Sequence, residues 1–510
     1  MTRPDARGVA LLTALLVPGC GAACSSRPPT AEDYLVVGVA SSPNNLDPRL
    51  GSDAASQQVH QLVFNSLLTL DEQLNVVPDL ATGWSTPNDR TYRVALRHGV
   101  RFHDGRELTA EDVVYTFSSF LDPDFISPRK GAYRLLARVA AIDRYTVEFV
   151  LEEPFGSFPV NLVMGIVPAG SGPELGRAPI GTGPYRVVQF TPDDRTTLAR
   201  FDDYFGAPAS NPGLVLRVVP DDTMRGLELR KGTVDLVIND LAPDVVDQLE
   251  RDERLQVAQA PGIDYAYIGL NLRDPILSDR RVRQALAYGI DREAIVGHLR
   301  RGQARPAVGI LSPVSWAFTS DVDTFDHDPD QARRLLDDAG YPDPDGDGPA
   351  TRFALTLRTS TAEFFRLQAA VIQQDLRRIG VALVVRSTEF ATLYADVLRG
   401  NFQMYSLQWV GVSDPDMLRR VFHSDQMPPN GFNRGFYSNP TVDALIDRAT
   451  RSTDLDERRG LYADVQAIVA RDVPYLSLWY KTNVVVAQAD LEGIAIVPNA
   501  DFSLLARVHR

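Results

Sequence analysis

The sequence predicts an α/β fold spread over at least two lobes, and three observations carry that reading. The chain has 510 residues, well beyond the roughly 250–300 at which a single hydrophobic core stops growing. Apolar residues make up 44% and charged residues 23%, an ordinary globular mix that excludes a mainly disordered, collagenous or coiled-coil chain. The periodicity also changes along the chain. Period-two strands and turns dominate the first half, and strands alternate with amphipathic helices in the second.

In the first half, residues 34–40 (YLVVGVA) read as a buried strand. Tyr92, Val94 and Leu96 alternate, as do Tyr145, Val147, Phe149 and Leu151, and both sets predict half-buried strands. Between them Asp104-Gly105 makes a turn. Thr109 with Asp112 then has the spacing of a capping box, and Val113, Phe117 and Phe120 share one face of the helix it opens.

In the second half, Asp328-Pro329 reads as N-cap and first helical residue, with Gly340 past the helix end. Phe353, Leu355 and Leu357 alternate on a strand. A helix follows over 361–379 and closes at Gly380. Residues 381–385 are a continuous apolar strand. Phe390, Leu393, Tyr394 and Val397 keep helical spacing up to Gly400, and 402–409 is the next strand. Asn439-Pro440 repeats the capping pattern. This β-α-β-α-β order predicts a parallel sheet with right-handed crossovers. Ligands of such sheets bind beyond the carboxyl ends of the strands. Here those ends are Arg358-Thr359-Ser360 and the run from Trp409 through Gly411 to Asp414.

The amino terminus bears on the compartment. Arg3 and Arg7 precede a short apolar run, 8–17, far below the roughly 18–20 residues that span a bilayer. The run closes on Pro18-Gly19-Cys20, and a second cysteine, Cys24, follows. This resembles a bacterial lipoprotein signal over 1–19 with Cys20 as the acylated residue. Cys24 is the weaker candidate, and a plain secretory signal with a Cys20–Cys24 disulfide is the alternative. Residues 20–32 then form a tether. No later apolar run reaches membrane length, so an exported body tethered to the membrane is expected.

Tests for chemistry are mostly negative. The formal net charge is −14, which argues against nucleic acid as a partner, because neutralising phosphates needs clustered cations. There is no G-x-S-x-G elbow, H-E-x-x-H pair or Walker A loop. Gly181-Thr182-Gly183 runs into Pro184-Tyr185 and opens no helix. His98 and His103 flank the Asp104 turn without a third nitrogen or sulfur donor, so no metal site is expected there. Residues 343–348 imitate a calcium loop but lack the closing bidentate acid. Nothing assembles a nucleophile, its base and an orienting group. The chain reads as a binder with no cofactor.

Four long stretches, in order, carry a family resemblance. They are 80–115 (LATGWSTPNDRTYRVALRHGVRFHDGRELTAEDVVY), IGTGPY at 180–185 with DYFG at 203–206, YAYIGLNLRDPILSDRRVRQALAYGI at 265–290, and P-x-x-A-x-x-L-L-x-x-A-G-Y from Pro329 to Tyr341. With Asn44-Asn45-Leu46-Asp47-Pro48 as a first loop, the chain resembles the extracytoplasmic solute-binding proteins of peptide-type ABC transporters. This is solute-binding family 5, the oligopeptide, dipeptide and nickel-binding type.

The resemblance implies a two-lobed periplasmic-binding-protein clamshell, type II-like, with an extra subdomain in the larger lobe. Residues 33–71, 179–264 and 481–510 would form the hinge lobe, 72–178 the extra subdomain and 265–480 the second lobe. The crossings would lie near 264–272 and 479–486. Most signature residues read as structural: Trp84 and Phe102 as core, Arg281 and Arg283 as a helix face. The implied ligand-binding positions are Ser42, Asn44, Asn239, Trp409, Gly411, Tyr265, Tyr267, Trp479 and Tyr480. Peptide-binding relatives carry an Asp shortly after the W-x-G step to pair with the ligand amine. Here Val412 follows, and Asp414 stands two residues further on. Arg358 or Thr359 falls where dipeptide binders hold the carboxylate. The implied function is capture of an oligopeptide-like solute by a monomer and delivery to a permease with two ATPase subunits. A nickel chelate, haem, an opine or an oligosaccharide are alternative solutes, and a ligand-presenting sensor is the alternative role.

Overall fold

The computed structural model describes residues 33–346, 348–429 and 431–510. The expected leader, Cys20, Cys24 and the tether lie outside the described residues. No helix among the described residues is long and apolar enough to cross a membrane.

An 11-stranded mixed sheet runs through both lobes. At its centre two long strands, Leu255–Leu270 and Tyr475–Gln488, pair antiparallel. On one side lie Met404–Trp409, Phe353–Ser360 and Val381–Thr388. On the other lie Leu236–Ile238, Leu35–Val39, Gly213–Val218, Arg195–Arg200 and Tyr185–Thr191. The expected parallel arrangement is present, since Phe353–Ser360 is parallel to both Val381–Thr388 and Met404–Trp409. Each long strand changes lobe partway along. Leu255, Val484 and Val486 pack on Leu229, Val234 and Val237. Further along, Ala266, Ile268, Leu476 and Trp479 enter the core of the second lobe. The pairing register breaks between Pro261 and Tyr265. It shifts again between Ala266 and Tyr267.

A separate antiparallel sheet orders Ala81–Asn88, Thr91–Leu96, Thr146–Leu151 and Leu136–Asp143. Val94, Val147 and Phe149 from it pack with Phe102, Phe117 and Phe158. Trp84, expected in the core, is only half-buried at its margin.

The local signals act as their chemistry dictates. The Asp112 carboxylate accepts the Thr109 N–H at 2.8 Å and so satisfies a donor that the helix Ala110–Ser118 leaves free. Asp328 caps Pro329–Asp338 by accepting from Gln331 N at 2.9 Å. Asn439 caps Pro440–Arg451 by accepting from Thr441 N at 3.1 Å. Gly380 and Gly400 end their helices with φ of +80° and +75°, a conformation that costs other residues a Cβ clash.

Arg283 lies on the helix Arg280–Gly289, as expected, and its face is turned inward. It is 5% exposed, and its guanidinium donates to the carbonyls of Leu277, Ser278, Asp472 and Val473 at 2.5–3.1 Å. Asp472 ends the helix Leu455–Asp472, and Val473 sits in the left-handed region with φ +48°. The cation thus takes up carbonyls that a helix end leaves unpaired, and it complements the helix dipole. Arg283→Met should leave four buried acceptors unserved and cost about 2–4 kcal/mol. Denaturant unfolding of the variant against the parent measures this, and a loss within 0.5 kcal/mol, roughly the scatter of surface substitutions, would contradict it.

Candidate functional site

The strand Met404–Trp409 ends at the junction of the lobes, beside the register break. The turn that follows is tied down there. Gly411, at φ +68°, donates its N–H to the Asp264 carboxylate at 2.9 Å, and Val412 N–H donates to Ile263 O at 3.3 Å. The amide of Gly411, an implied ligand-binding position, therefore already serves Asp264. Trp409 is half-buried. It stacks parallel to Tyr267 at 6.2 Å and meets Phe432 edge-on at 5.6 Å, with the Arg434 guanidinium 4.9 Å from its ring centre. Arg434 is 3% exposed and donates to the Tyr394 hydroxyl at 3.0 Å. Ring faces, not a carboxylate, surround that charge.

The four expected aromatics on the crossing strands are interior. Tyr265 places its hydroxyl 2.7 Å from Ser477 Oγ. Tyr267 is sealed between Tyr265 and Tyr475 at 5.6 and 4.1 Å. Trp479 donates its indole N–H to Gln368 at 2.9 Å. The Tyr480 hydroxyl lies 2.6 and 2.8 Å from the carbonyls of Gly309 and Leu311. All four are at most 2% exposed. Central strands carry a packed layer on each face, so both sets of alternating side chains go inward. Arg358 is paired with Asp396 at 2.9 Å, and Thr359 is fully buried. In the first loop Ser42 is half-buried and Asn44 exposed, its N–H donating to Ser56 Oγ at 3.1 Å.

Four of the expected residues reach cavities, Tyr265 lining a small one of about 50 Å³ with Arg292, Gln466 and Ser477. Asn239, at φ +60°, accepts from Val484 N at 2.8 Å and donates to Asn483 at 3.1 Å. It lines a hinge-side cavity of about 300 Å³ with Asp240, Arg300, Gln303, Phe364 and Lys481. Burial lowers the Lys481 ammonium and brings Arg300 down to about 10, with Asp264 opposing both shifts. Gly411 and Asp414 line another cavity of about 140 Å³ with Phe155, Ser157 and Arg420. A larger one, of about 820 Å³, adjoins it through Phe155, Asn161 and Asp416.

Around Asp414 the second lobe touches the subdomain that bears Phe158. Ser157 donates its hydroxyl to Asp414 at 3.1 Å. Arg458 donates to Gly156 O at 3.1 Å and also to Ser157 Oγ. Gly156 N–H donates to Thr450 O at 2.7 Å. Sequence reasoning missed Gly156, Ser157 and Arg458. Pro154 beside Gly156 marks a turn, but nothing local signals a partner about three hundred residues away. Burial raises the Asp414 carboxyl, and burial together with the Asp414 charge raises Asp416 from 3.8 to about 6. Among the described residues no cluster of His, Cys, Asp and Glu could hold a metal.

Two outcomes follow for this contact. A Cβ at Gly156 would stand 1.9 Å from Ser452 O, so Gly156→Ala should hold the lobes apart. Small-angle scattering should then give a larger radius of gyration than the parent's, and an equal radius would count against it. The folded state binds the Asp416 proton more tightly than the unfolded chain does. Stability from this group is therefore greatest below about pH 4 and falls as pH rises to about 6. Asp416→Asn should flatten that slope and recover up to about 3 kcal/mol at pH 7, read from denaturation at several pH values.

Comparison with known proteins places the chain. Residues 75–428 match the model of bacterial extracellular solute-binding proteins, family 5 Middle. The oligopeptide-binding protein AppA of Bacillus subtilis is 30% identical over 490 residues, 92% of this chain and 90% of that protein. The glutathione-binding protein GsiB of Salmonella typhimurium is 29% identical, covering 95% and 96%. The structure of AppA from Bacillus subtilis in complex with a nonapeptide superposes with a TM-score of 0.75 at 28% identity, covering 93% and 98%. The ABC transporter substrate-binding protein CtaP of Listeria monocytogenes gives 0.84 at 26% identity, covering 93% and 99%.

Proposed function

The chain belongs to the bacterial extracellular solute-binding proteins of family 5, and on that premise we propose that it captures an oligopeptide-like solute outside the cytoplasmic membrane and hands it to an ABC permease with its ATPase subunits. It performs no reaction of its own. Cys20 would carry the lipid that tethers the body over residues 20–32, and the protein would act as a monomer. The lobes would divide as 33–71, 179–264 and 481–510 against 265–480, with 72–178 as the subdomain that closes on the far end.

The observation that carries this reading is the junction. Two paired strands link the lobes, their register breaks at Pro261–Tyr265, and cavities of about 300, 140 and 820 Å³ lie along the seam. Such a geometry suits hinge closure around a small solute. AppA, whose structure contains a nonapeptide, shares this fold over nearly its whole length. Asn239, Gly411 and Asp414 would touch the solute, with Trp409 behind Phe432 as an apolar wall.

One feature bears on how a peptide α-amine would be held. Val412 is buried where peptide-binding relatives place the amine-binding acid, and Asp414 is occupied by Ser157. If Asp414 is nevertheless the amine partner, Asp414→Ala should weaken an α-amino peptide and spare its N-acetylated form.

Thermal unfolding of the chain, stripped of solute by partial unfolding and refolding, tests the class. A solute at about a hundred times its Kd adds about 2.7 kcal/mol to stability. Dipeptides to hexapeptides should raise Tm. A shift confined to nickel–histidine, haem or an oligosaccharide would overturn the peptide reading.

A further inference from the structure

The cavity of about 820 Å³ lies between the subdomain loop 128–135 and, from the second lobe, residues 416–429, 431–432 and 447–451. Its charge runs against that of the chain. The whole protein carries −14, yet five arginines (Arg129, Arg134, Arg419, Arg420 and Arg451) line this groove against the carboxylates of Glu153, Asp416 and Asp447. Arg419 approaches Asp425 and Asp447 at 2.6 and 3.8 Å, and Arg420 approaches Asp416 at 3.8 Å.

The other three differ. Among the described residues no carboxylate lies within ion-pair distance of Arg129, Arg134 or Arg451. Arg129 is half-buried, donates to Gly51 O at 2.9 Å, and leaves its Nε without a partner. Arg134 and Arg451 are exposed. Arg129 and Arg134 stand on the subdomain wall, whereas Arg451 ends the helix Pro440–Arg451 on the opposite wall. Cations that no carboxylate neutralises thus line both walls of one groove, and drawing the walls together would bring like charges toward one another. That costs free energy unless an anion lies between them. The apolar faces of Phe155, Tyr394 and Phe432 complete the walls.

We propose that this groove selects acidic peptides, with Arg129, Arg134 and Arg451 as the specificity-determining residues that receive side-chain carboxylates. The proposal rests on the peptide reading above and narrows it. The solute neutralises cations on both walls, so charge recognition and lobe closure become one event.

The test compares Ala-Glu-Glu-Ala, Ala-Gln-Gln-Ala and Ala-Lys-Lys-Ala by titration calorimetry on the full chain at low salt. The Glu peptide should bind about tenfold or more tightly than the Gln peptide, with the Lys peptide weakest. The Glu advantage should shrink as salt screens the exposed arginines. In the double variant R134Q/R451Q, whose side chains are exposed and unpaired, the advantage should fall toward onefold while the Gln peptide keeps its Kd. Equal affinity for the Glu and Gln peptides would overturn the proposal and leave the peptide reading standing. An unchanged advantage in the double variant would also overturn it. Binding of none of the three would overturn both.

Discussion

The pairing of Leu255–Leu270 with Tyr475–Gln488 is the constraint on which the rest of the structure depends. Each strand belongs to both lobes, so each lobe completes its sheet with backbone that the other also uses. The ladder must be stiff within each lobe and yielding between them. Stiffness comes from apolar side chains on both faces: Ala266 and Ile268 on one side, Tyr265, Tyr267 and Tyr480 on the other. The ladder is irregular in two places, between Pro261 and Tyr265 and between Ala266 and Tyr267. A local loss of ladder hydrogen bonds confines bending to a few residues. Asp264 sits in the first of these intervals and accepts the Gly411 amide, which ties the turn after Met404–Trp409 to it.

That constraint also explains which parts of the molecule were legible in the sequence. Period-two and period-3.6 patterns, capped by Asp328, Asn439 and Thr109 with Asp112, located most strands and helices, because each signal is local. The aromatics on the crossing strands were not decidable in the same way. A tyrosine at an alternating position suits a covered face and a pocket wall equally well, and only the layers packed against Tyr265, Tyr267 and Tyr480 resolve it. Trp479 goes inward for the same reason, its indole N–H satisfied by Gln368. Buried arginines are harder still. Arg283 and Arg458 lie within helices where a charge ordinarily faces water, and both instead serve backbone carbonyls supplied by distant segments.

The candidate site divides along similar lines. The strand-end argument led to the neighbourhood of Trp409, Gly411 and Asp414, which is where the seam between the lobes lies. It could not show that Gly411 and Asp414 already have partners, since Asp264 precedes Gly411 by 147 residues and Ser157 precedes Asp414 by 257. Arg358 is similar: the sequence offered a cation at a strand end, and Asp396 on the neighbouring helix neutralises it.

The energetics of closure follow from setting the two ends of the seam together. At the far end, the Ser157, Gly156 and Arg458 contacts favour the closed arrangement, each hydrogen bond contributing about 1 kcal/mol net. The same arrangement buries Asp414 beside Asp416 and brings unpaired arginines onto facing walls, and both effects oppose closure. The two sets of terms have opposite signs, and a binding protein needs them nearly balanced. If the closed form were much more stable, an empty protein would stay shut, and if it were much less stable, the solute would spend its binding energy on closing the lobes. Of the charged groups that oppose closure, only the unpaired arginines would be relieved by the anionic solute proposed above; the carboxyls of Asp414 and Asp416 would not. On the acidic-peptide proposal, the arginines that make the empty cleft reluctant to close would also be the groups that recognise the solute.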